Sequence, residues 1–454
     1  MKQLKQRTVF VLLFILMLCG GLVYLMGCYA VQGASWAAFR SNSHVYTDGT
    51  ISSGGIYDRN GVVLWDCATA SYNEDSAIRT ATVHTVGDDT GGIASGAKTV
   101  FSNYMIGFNA IFGASGTGNK LNLTIDANLN KTAYNALNGR KGTVAMYDYT
   151  TGELLCMVSA PAFDPADKEL VKAIASGEIE GYDGAFLNRF LSGTYTPGST
   201  FKLVTAAAAI EKMGHTDRFS YSCDGEKEYQ GADRGVTCPR AHGELDFDSA
   251  LWNSCNGAFA TLANEVGSKT LKSYADKAGL LDSVNISGLR SAKGSFTTTS
   301  SVLDEGWSGV GQYSDLVNPA AELTLMGCIA AGGSAPTPRL LGSVKSSFLN
   351  LSAARVETST SSIGWKESTC NQLKAMMRQN VTEHYGQSQF GDLPVCAKSG
   401  TAEVGGSVEP HAWFVGFVDS QVYPYAFVAV VENGGSGASA AGGVIAEVLD
   451  AACR

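Results

Sequence analysis

Ser199-Thr-Phe-Lys202 sets a hydroxyl and an amine three residues apart. On a helix those positions share a face, so the Lys202 amine can stand beside the Ser199 hydroxyl. A serine attacks a carbonyl only with a base next to it, and a lysine stripped of water can be that base. Pro197-Gly198 precedes the pair, and Phe201, Leu203, Val204 and an alanine-rich tract to Ile210 follow it. This pattern predicts a helix whose N-terminus favours developing negative charge. Ser95-Gly-Ala-Lys98 repeats the spacing, but it follows a glycine-rich loop and opens no apolar helix, so it is set aside.

Two further triplets belong with the first. Ser254-Cys-Asn256 is weak alone, since Ser71-Tyr-Asn73 and Ser283-Val-Asn285 share its form. Lys398-Ser399-Gly400-Thr401 holds the one Lys-[Ser/Thr]-Gly of the chain and lies in a strand-like run. Gly400 would let a ligand backbone come close, and a peptide could add along such a strand. Lys398 and Thr401 would offer a cation and a hydroxyl to a carboxylate. Singly, each triplet is ordinary turn or helix-surface chemistry. In this order, with Ser254 55 residues after Ser199 and Lys398 another 144 on, they read as one nucleophilic site.

The elements that must position them are legible. Asp126 caps a predicted helix over 127–137, ending near Gly139. Runs at 142–148 and 153–159, joined by Tyr149-Thr-Thr-Gly152, predict a hairpin. Pro319 opens an apolar helix over 320–331. Three strand-like runs follow at 395–403, 412–418 and 426–431, and a last helix covers 437–452. The fold class is therefore α+β, with helices packed on an antiparallel sheet. Upstream, Ile56-Tyr-Asp-Arg-Asn-Gly61 before Val62-Val-Leu-Trp65 predicts a hairpin in a glycine- and threonine-rich module.

Lys2, Lys5 and Arg7 precede a charge-free stretch from Thr8 to Phe39. About 20 apolar residues span a bilayer, and the basic flank keeps the N-terminus inside. A cleaved signal peptide is the alternative, though its apolar region runs to about 7–15 residues. Leu25-Met26-Gly27-Cys28 loosely resembles a lipoprotein processing box. The anchor and the lipidated reading both export and tether the chain. The expected organisation is a cytoplasmic tip and anchor over 1–31, a membrane-proximal pedestal over 32–120 and a catalytic domain over 121–454.

Hydrophobic residues make up 45% of the chain and charged residues 17%, which is globular composition. A net charge of −9 without a basic run excludes nucleic acid as partner. Of eleven cysteines, Cys19 and Cys28 fall in the apolar stretch. The rest show no CxxC pair and no His/Cys cluster with zinc-ligand spacing, so no metal and no cofactor is expected. Cys223 and Cys238 flank a polar loop and are either a disulfide or two free thiols.

The three motifs are those of penicillin-binding proteins and serine β-lactamases, and the surrounding residues resemble class B penicillin-binding proteins. The likeness rests on Tyr195-Thr-Pro-Gly-Ser-Thr-Phe-Lys202, His242-Gly243, Asn253-Ser-Cys-Asn256, Gly311-Gln312 and His411-Ala-Trp-Phe-Val-Gly-Phe417. Ile56 to Gly61 is similar to their membrane-proximal module, and Tyr313 departs from the small residue usual after Gly-Gln. The resemblance implies a peptidoglycan D,D-transpeptidase. Ser199 would be acylated by a D-alanyl-D-alanine stem peptide, with Lys202 as base, Ser254 as proton relay and Asn256 on the substrate amide. The N–H groups of Ser199 and Thr401 would form the oxyanion hole. β-Lactam antibiotics would acylate Ser199 covalently.

By the same likeness the catalytic domain lies outside the cell membrane. A membrane glycan polymerase would be its partner, meeting the anchor and the segment Tyr57 to Arg59. Residues 32–120 are too few for the glycan-polymerising domain of class A relatives. The rivals are a D,D-carboxypeptidase or β-lactamase, a penicillin sensor and a non-catalytic scaffold. Glu265, Glu305 and Glu322 lie between the second and third motifs without local context for a deacylating role, and a sensor has only Met1 to Arg7 inside. His242 and His411 read as structural hydrogen-bonding residues near the site.

Overall fold

The computed structural model describes residues 2–39, 54–109, 113–114, 118–346, 352–406 and 408–454. Residues 40–53, expected to begin the pedestal, lie outside the described residues.

Lys2–Ala38 is one continuous helix with Cys28 inside it. Among the described residues it alone is long and apolar enough to cross a membrane. At 1.5 Å per residue its 37 residues reach about 55 Å, more than a bilayer core requires.

The catalytic half is built on five antiparallel strands in the order Val395–Ala402, His411–Val418, Tyr425–Val431, Gly142–Asp148, Leu154–Ala160. Alternate side chains leave opposite faces of a strand. Tyr147, Val415 and Val428 therefore enter one core, which holds Leu323 and Met326 of the helix Pro319–Ala330. Val144, Phe414 and Phe427 enter a second core, with Val444 and Val448 of the helix Gly442–Ala452 and Ala133 and Leu137 of the helix Ala127–Leu137. Cover on both faces explains why these strands read as unbroken apolar runs. Asp126 caps its helix by accepting from Leu129 N–H, and left-handed Asn138 ends it. Asn318 caps the buried helix and also donates to the carbonyls of Phe190, Leu191 and Gly193, tying that helix to the segment before the nucleophile.

The expected membrane-proximal hairpin forms between Gly55–Tyr57 and Val63–Asp66, turning at Gly61 with φ +85°. Its sheet has six strands, ordered Ser352–Ala354, Leu341–Ser346, Asn119–Leu123, Gly55–Tyr57, Val63–Asp66, Ser71–Tyr72. Two of them come from beyond residue 340, and Asn119–Leu123 crosses position 120. One sheet thus joins the segments on either side of position 120.

The expectation that Asp58 helps present a partner surface is corrected here. Asp58 is buried. One carboxylate oxygen accepts from the N–H groups of Asn60 and Val62 at 2.8 Å each, and the other from Ala127 N–H at 3.0 Å. A short carboxylate closing its own turn is favoured by geometry, and this one also docks the turn on the next domain. Arg59 pairs with Glu153 at 3.2 Å, which Arg339 also holds at 2.8 Å. Asp58→Ala leaves three N–H groups without their acceptor. We expect a loss of about 1–3 kcal/mol and a lower melting temperature for the full chain in detergent. An unchanged melting temperature would contradict this account of the turn.

Candidate active site

Gly198–Phe201 is a single 3₁₀ turn running into the helix Lys202–Met213. Three residues per 3₁₀ turn bring positions 199 and 202 onto one edge. Backbone from two other segments closes on this turn. Gly198 has φ +56° and donates its N–H to Gly311 O at 2.9 Å. A Cβ on Gly311 would stand 2.0 Å from Gly198 O, and one on Gly400 2.7 Å from Pro197 O. The turn that carries Ser199 by itself requires a glycine at position 400.

Ser199, Ser254, Asn256, Ser399 and Thr401 line one cleft of about 840 Å³. Lys202 and Lys398 lie behind it, fully buried. Lys202 Nζ donates to Ser254 O at 2.6 Å, Asn256 Oδ1 at 2.7 Å and Ser254 Oγ at 3.1 Å. Lys398 Nζ donates to Ser254 Oγ at 3.1 Å and Ser399 O at 2.9 Å. The Lys398 amine is thus held on the second motif, while Ser399 and Thr401 line the cleft. Strand alternation is the reason: Ser399 and Thr401 reach the cleft while Lys398 and Gly400 do not.

The Lys202 amine was expected beside Ser199. It turns instead to three acceptors of the second motif, which match the three protons of an ammonium. Among the described residues the Ser199 hydroxyl makes no hydrogen bond. Catalytic contacts of this kind commonly tighten when substrate arrives.

Ser254 is held at φ +52°, between the helices Phe247–Trp252 and Asn256–Val266. A left-handed serine is costly and persists only where its surroundings fix it. Both buried amines bond its hydroxyl, and Asn256 Nδ2 donates to Thr237 O at 2.7 Å. Burial pushes Lys202 down to about 7, opposed by Cys255 and Cys238. Burial, then the neighbouring Lys202, pushes Lys398 well below the ordinary lysine range.

Sequence reading missed Tyr385. It ends the π-helical turn Asn380–Tyr385; its hydroxyl accepts from Ser399 N–H at 2.9 Å and pairs with Ser399 Oγ at 3.0 Å. No local motif announces it. Glu322 lacked context in sequence, yet it is buried under the nucleophile turn and accepts from Thr200 Oγ1 at 3.2 Å. Burial pushes its carboxyl up to about 7. It does not line the cleft. Tyr313 adopts φ +73° and is exposed, while Gln312 beside it lines the cleft. His411 Nδ1 accepts from Asn433 N–H at 3.1 Å.

The fold gathers one cluster that residue spacing does not show. Cys223, Cys238, His242 and Cys255 bring their ligand atoms within 4.8 Å of one another, so these residues could hold a metal ion. They come from separate segments joined by the pairing of Ser220–Cys223 with Gly243–Asp246, which no local spacing displays. Cys223 and Cys238 are free thiols.

A turn-borne serine, buried lysines and a strand edge in one cleft define the serine acyltransferase class. Residues 142–451 match the penicillin binding protein transpeptidase domain. The peptidoglycan D,D-transpeptidase PbpA of Mycolicibacterium smegmatis is 29% identical over 352 residues, covering 72% of this chain and 70% of that protein. Penicillin-binding protein A from M. tuberculosis, solved as a ceftriaxone acyl-enzyme complex, shares the fold at TM-score 0.78 and 21% identity, over 88% of this chain and 98% of that one. A chain of a peptidoglycan synthase complex that coordinates polymerization and crosslinking matches at TM-score 0.65 and 26% identity, over 75% of this chain and 63% of that one. The chain belongs to the penicillin-binding protein transpeptidase family, in accord with the class B resemblance of its motifs.

Lys202 has its pKa lowered, so its neutral, proton-accepting form gains population as pH rises through about 7. Covalent labelling by penicillin should accelerate across that range and level off above it. Stopped-time labelling from acid to alkaline pH tests this. A rate that stays flat, or rises only near the ordinary lysine value of about 10.4, contradicts it.

Proposed function

We propose that this chain cross-links peptidoglycan stem peptides as a D,D-transpeptidase, with Ser199 as the acylated residue. Ser199 Oγ attacks the carbonyl of the D-alanyl-D-alanine bond, and Lys202 takes the hydroxyl proton. The N–H groups of Ser199 and Thr401 receive the oxyanion; losing one such donor costs about 10²–10³ in rate. Collapse breaks the peptide bond, and Ser254 passes a proton to the departing D-alanine amine. The amine of a neighbouring strand then attacks the Ser199 ester, forms the new peptide bond and restores the hydroxyl. Asn256, Ser399 and Thr401 hold the peptide along the strand edge. Lys398 and Gly400 act one step back, on Ser254 and on the nucleophile turn. A β-lactam acylates the same serine, but its ring opens without releasing a leaving group.

The observation that carries this reading is the Lys202 amine, buried and 3.1 Å from Ser254 Oγ, behind the cleft that Ser199 lines. The division into a tip and anchor over 1–31, a pedestal over 32–120 and a transpeptidase domain over 121–454 belongs to the same proposal. The helix Lys2–Ala38, with its basic flank inside, would tether the chain by a single pass and leave the catalytic domain outside the cell membrane. A membrane glycan polymerase is the proposed partner, in keeping with the synthase complex that the chain resembles.

The test is fluorescent-penicillin labelling of the full chain in detergent, wild type beside Ser199→Ala, followed over hours. We expect a persistent covalent band that the variant lacks. A band that forms and decays within minutes would move the activity to β-lactam hydrolysis. Equal labelling of Ser199→Ala would remove Ser199 from its role.

A further inference from the structure

Cys223, Cys238, His242 and Cys255 gather three thiols and one imidazole, with Cys223 and Cys255 buried and the other two partly so. Cys238 Sγ lies 3.8 Å from Cys223 Sγ and 3.8 Å from Cys255 Sγ. Cys223 Sγ lies 3.3 Å from His242 Nδ1. A disulfide would need about 2.05 Å between two of these sulfurs and would strand the third. A tetrahedral zinc site, with Zn–S near 2.3 Å and Zn–N near 2.0–2.1 Å, has S···S edges of about 3.8 Å and S···N edges of about 3.5 Å. The two S···S separations match those edges, the S···N separation is close, and all four ligand atoms lie within 4.8 Å of one another.

The surroundings suit thiolates. Gly257 N–H points at Cys238 Sγ at 3.4 Å and Ala258 N–H at Cys255 Sγ at 3.5 Å. Both amides belong to the first turn of the helix Asn256–Val266, whose N-cap is Cys255. Amide donors to metal-bound sulfur and the positive end of a helix both stabilise the anionic ligand. Three soft sulfurs and one imidazole select zinc over magnesium or calcium. Four protein ligands fill a tetrahedron, the pattern of a structural ion.

We infer that Cys223, Cys238, His242 and Cys255 bind one zinc ion, and that this ion positions the second motif of the active site. Cys255 stands between Ser254 and Asn256. Cys238 follows Thr237, whose carbonyl accepts from the Asn256 side chain. Fixing both cysteines to one ion joins the strand Ser220–Cys223, the loop ahead of His242 and the left-handed turn at Ser254. Cys238 and His242 border the same cleft as Ser199, yet the ion would hold the second motif in place without taking part in the acyl transfer.

The experiment uses the full chain purified in detergent under reducing conditions without chelator. Elemental analysis should find about one zinc per chain. Replacement by cobalt should give the thiolate-to-cobalt charge-transfer band and the visible bands of a tetrahedral centre, and the Cys223→Ser/Cys238→Ser variant should lose them. If that variant does not fold, the wild-type cobalt spectrum decides alone. A folded wild-type chain that holds neither zinc after zinc supplementation nor a cobalt spectrum overturns the inference. So does an intact mass two hydrogens light, with Cys223 and Cys238 linked and no metal present. Penicillin labelling is read separately. A chain that labels without metal refutes the ion alone, and one that holds zinc but does not label refutes the acyl-transfer reading alone.

Discussion

Two buried lysines share one serine hydroxyl, and the rest of the site follows from how that arrangement is tolerated. Lys202 and Lys398 each stand 3.1 Å from Ser254 Oγ with no exposure to water. Burial strips both amines of hydration, and Lys202 depresses Lys398 further, so the neutral amine of Lys202 becomes accessible near neutral pH. The acceptors that make the burial tolerable are the Ser254 carbonyl, the Asn256 amide oxygen and the Ser399 carbonyl. This ties Lys202, Ser254, Asn256 and the strand Val395–Ala402 into one network. Moving any member leaves a buried charge short of partners, which is costly.

The sheet supplies the rigidity that this network needs. Helices cover both faces, so the strand Val395–Ala402 cannot slip by one residue without carrying its whole apolar set to the wrong side. The glycine contacts at 198, 311 and 400 then lock the nucleophile turn against that strand at backbone distance. The six-stranded sheet shared with the membrane-proximal segment extends the same frame toward the anchor.

Much of this was legible in the sequence. The five strands, the helix after Asp126 and the helix after Pro319 came from apolar runs and caps, which are local signals. The three motifs came from residue types and order. What escaped was set by distance in the chain. Asp58 looked like an exposed turn charge because its third partner, Ala127, lies 69 residues on. The partners of Lys398 and Gly400 were not legible either, since Ser254 lies 144 residues before Lys398 and Gly400 packs on the Pro197 carbonyl. Tyr385 and Glu322 lacked any local pattern, and the thiol–imidazole cluster was hidden because strand pairing, not spacing, assembles it. In each case the missing information was a tertiary contact, and none of those residues contradicted its local propensity.

The central claim is that burial makes Lys202 a base near neutral pH. Its most direct test is an NMR titration of lysine side chains isotopically labelled at Cε and Nζ, with Lys202→Arg used to assign the signal. The account predicts one lysine titrating at about 7, absent from the variant, and a second depressed resonance for Lys398. Every lysine titrating near the unperturbed value of about 10.4 would contradict it.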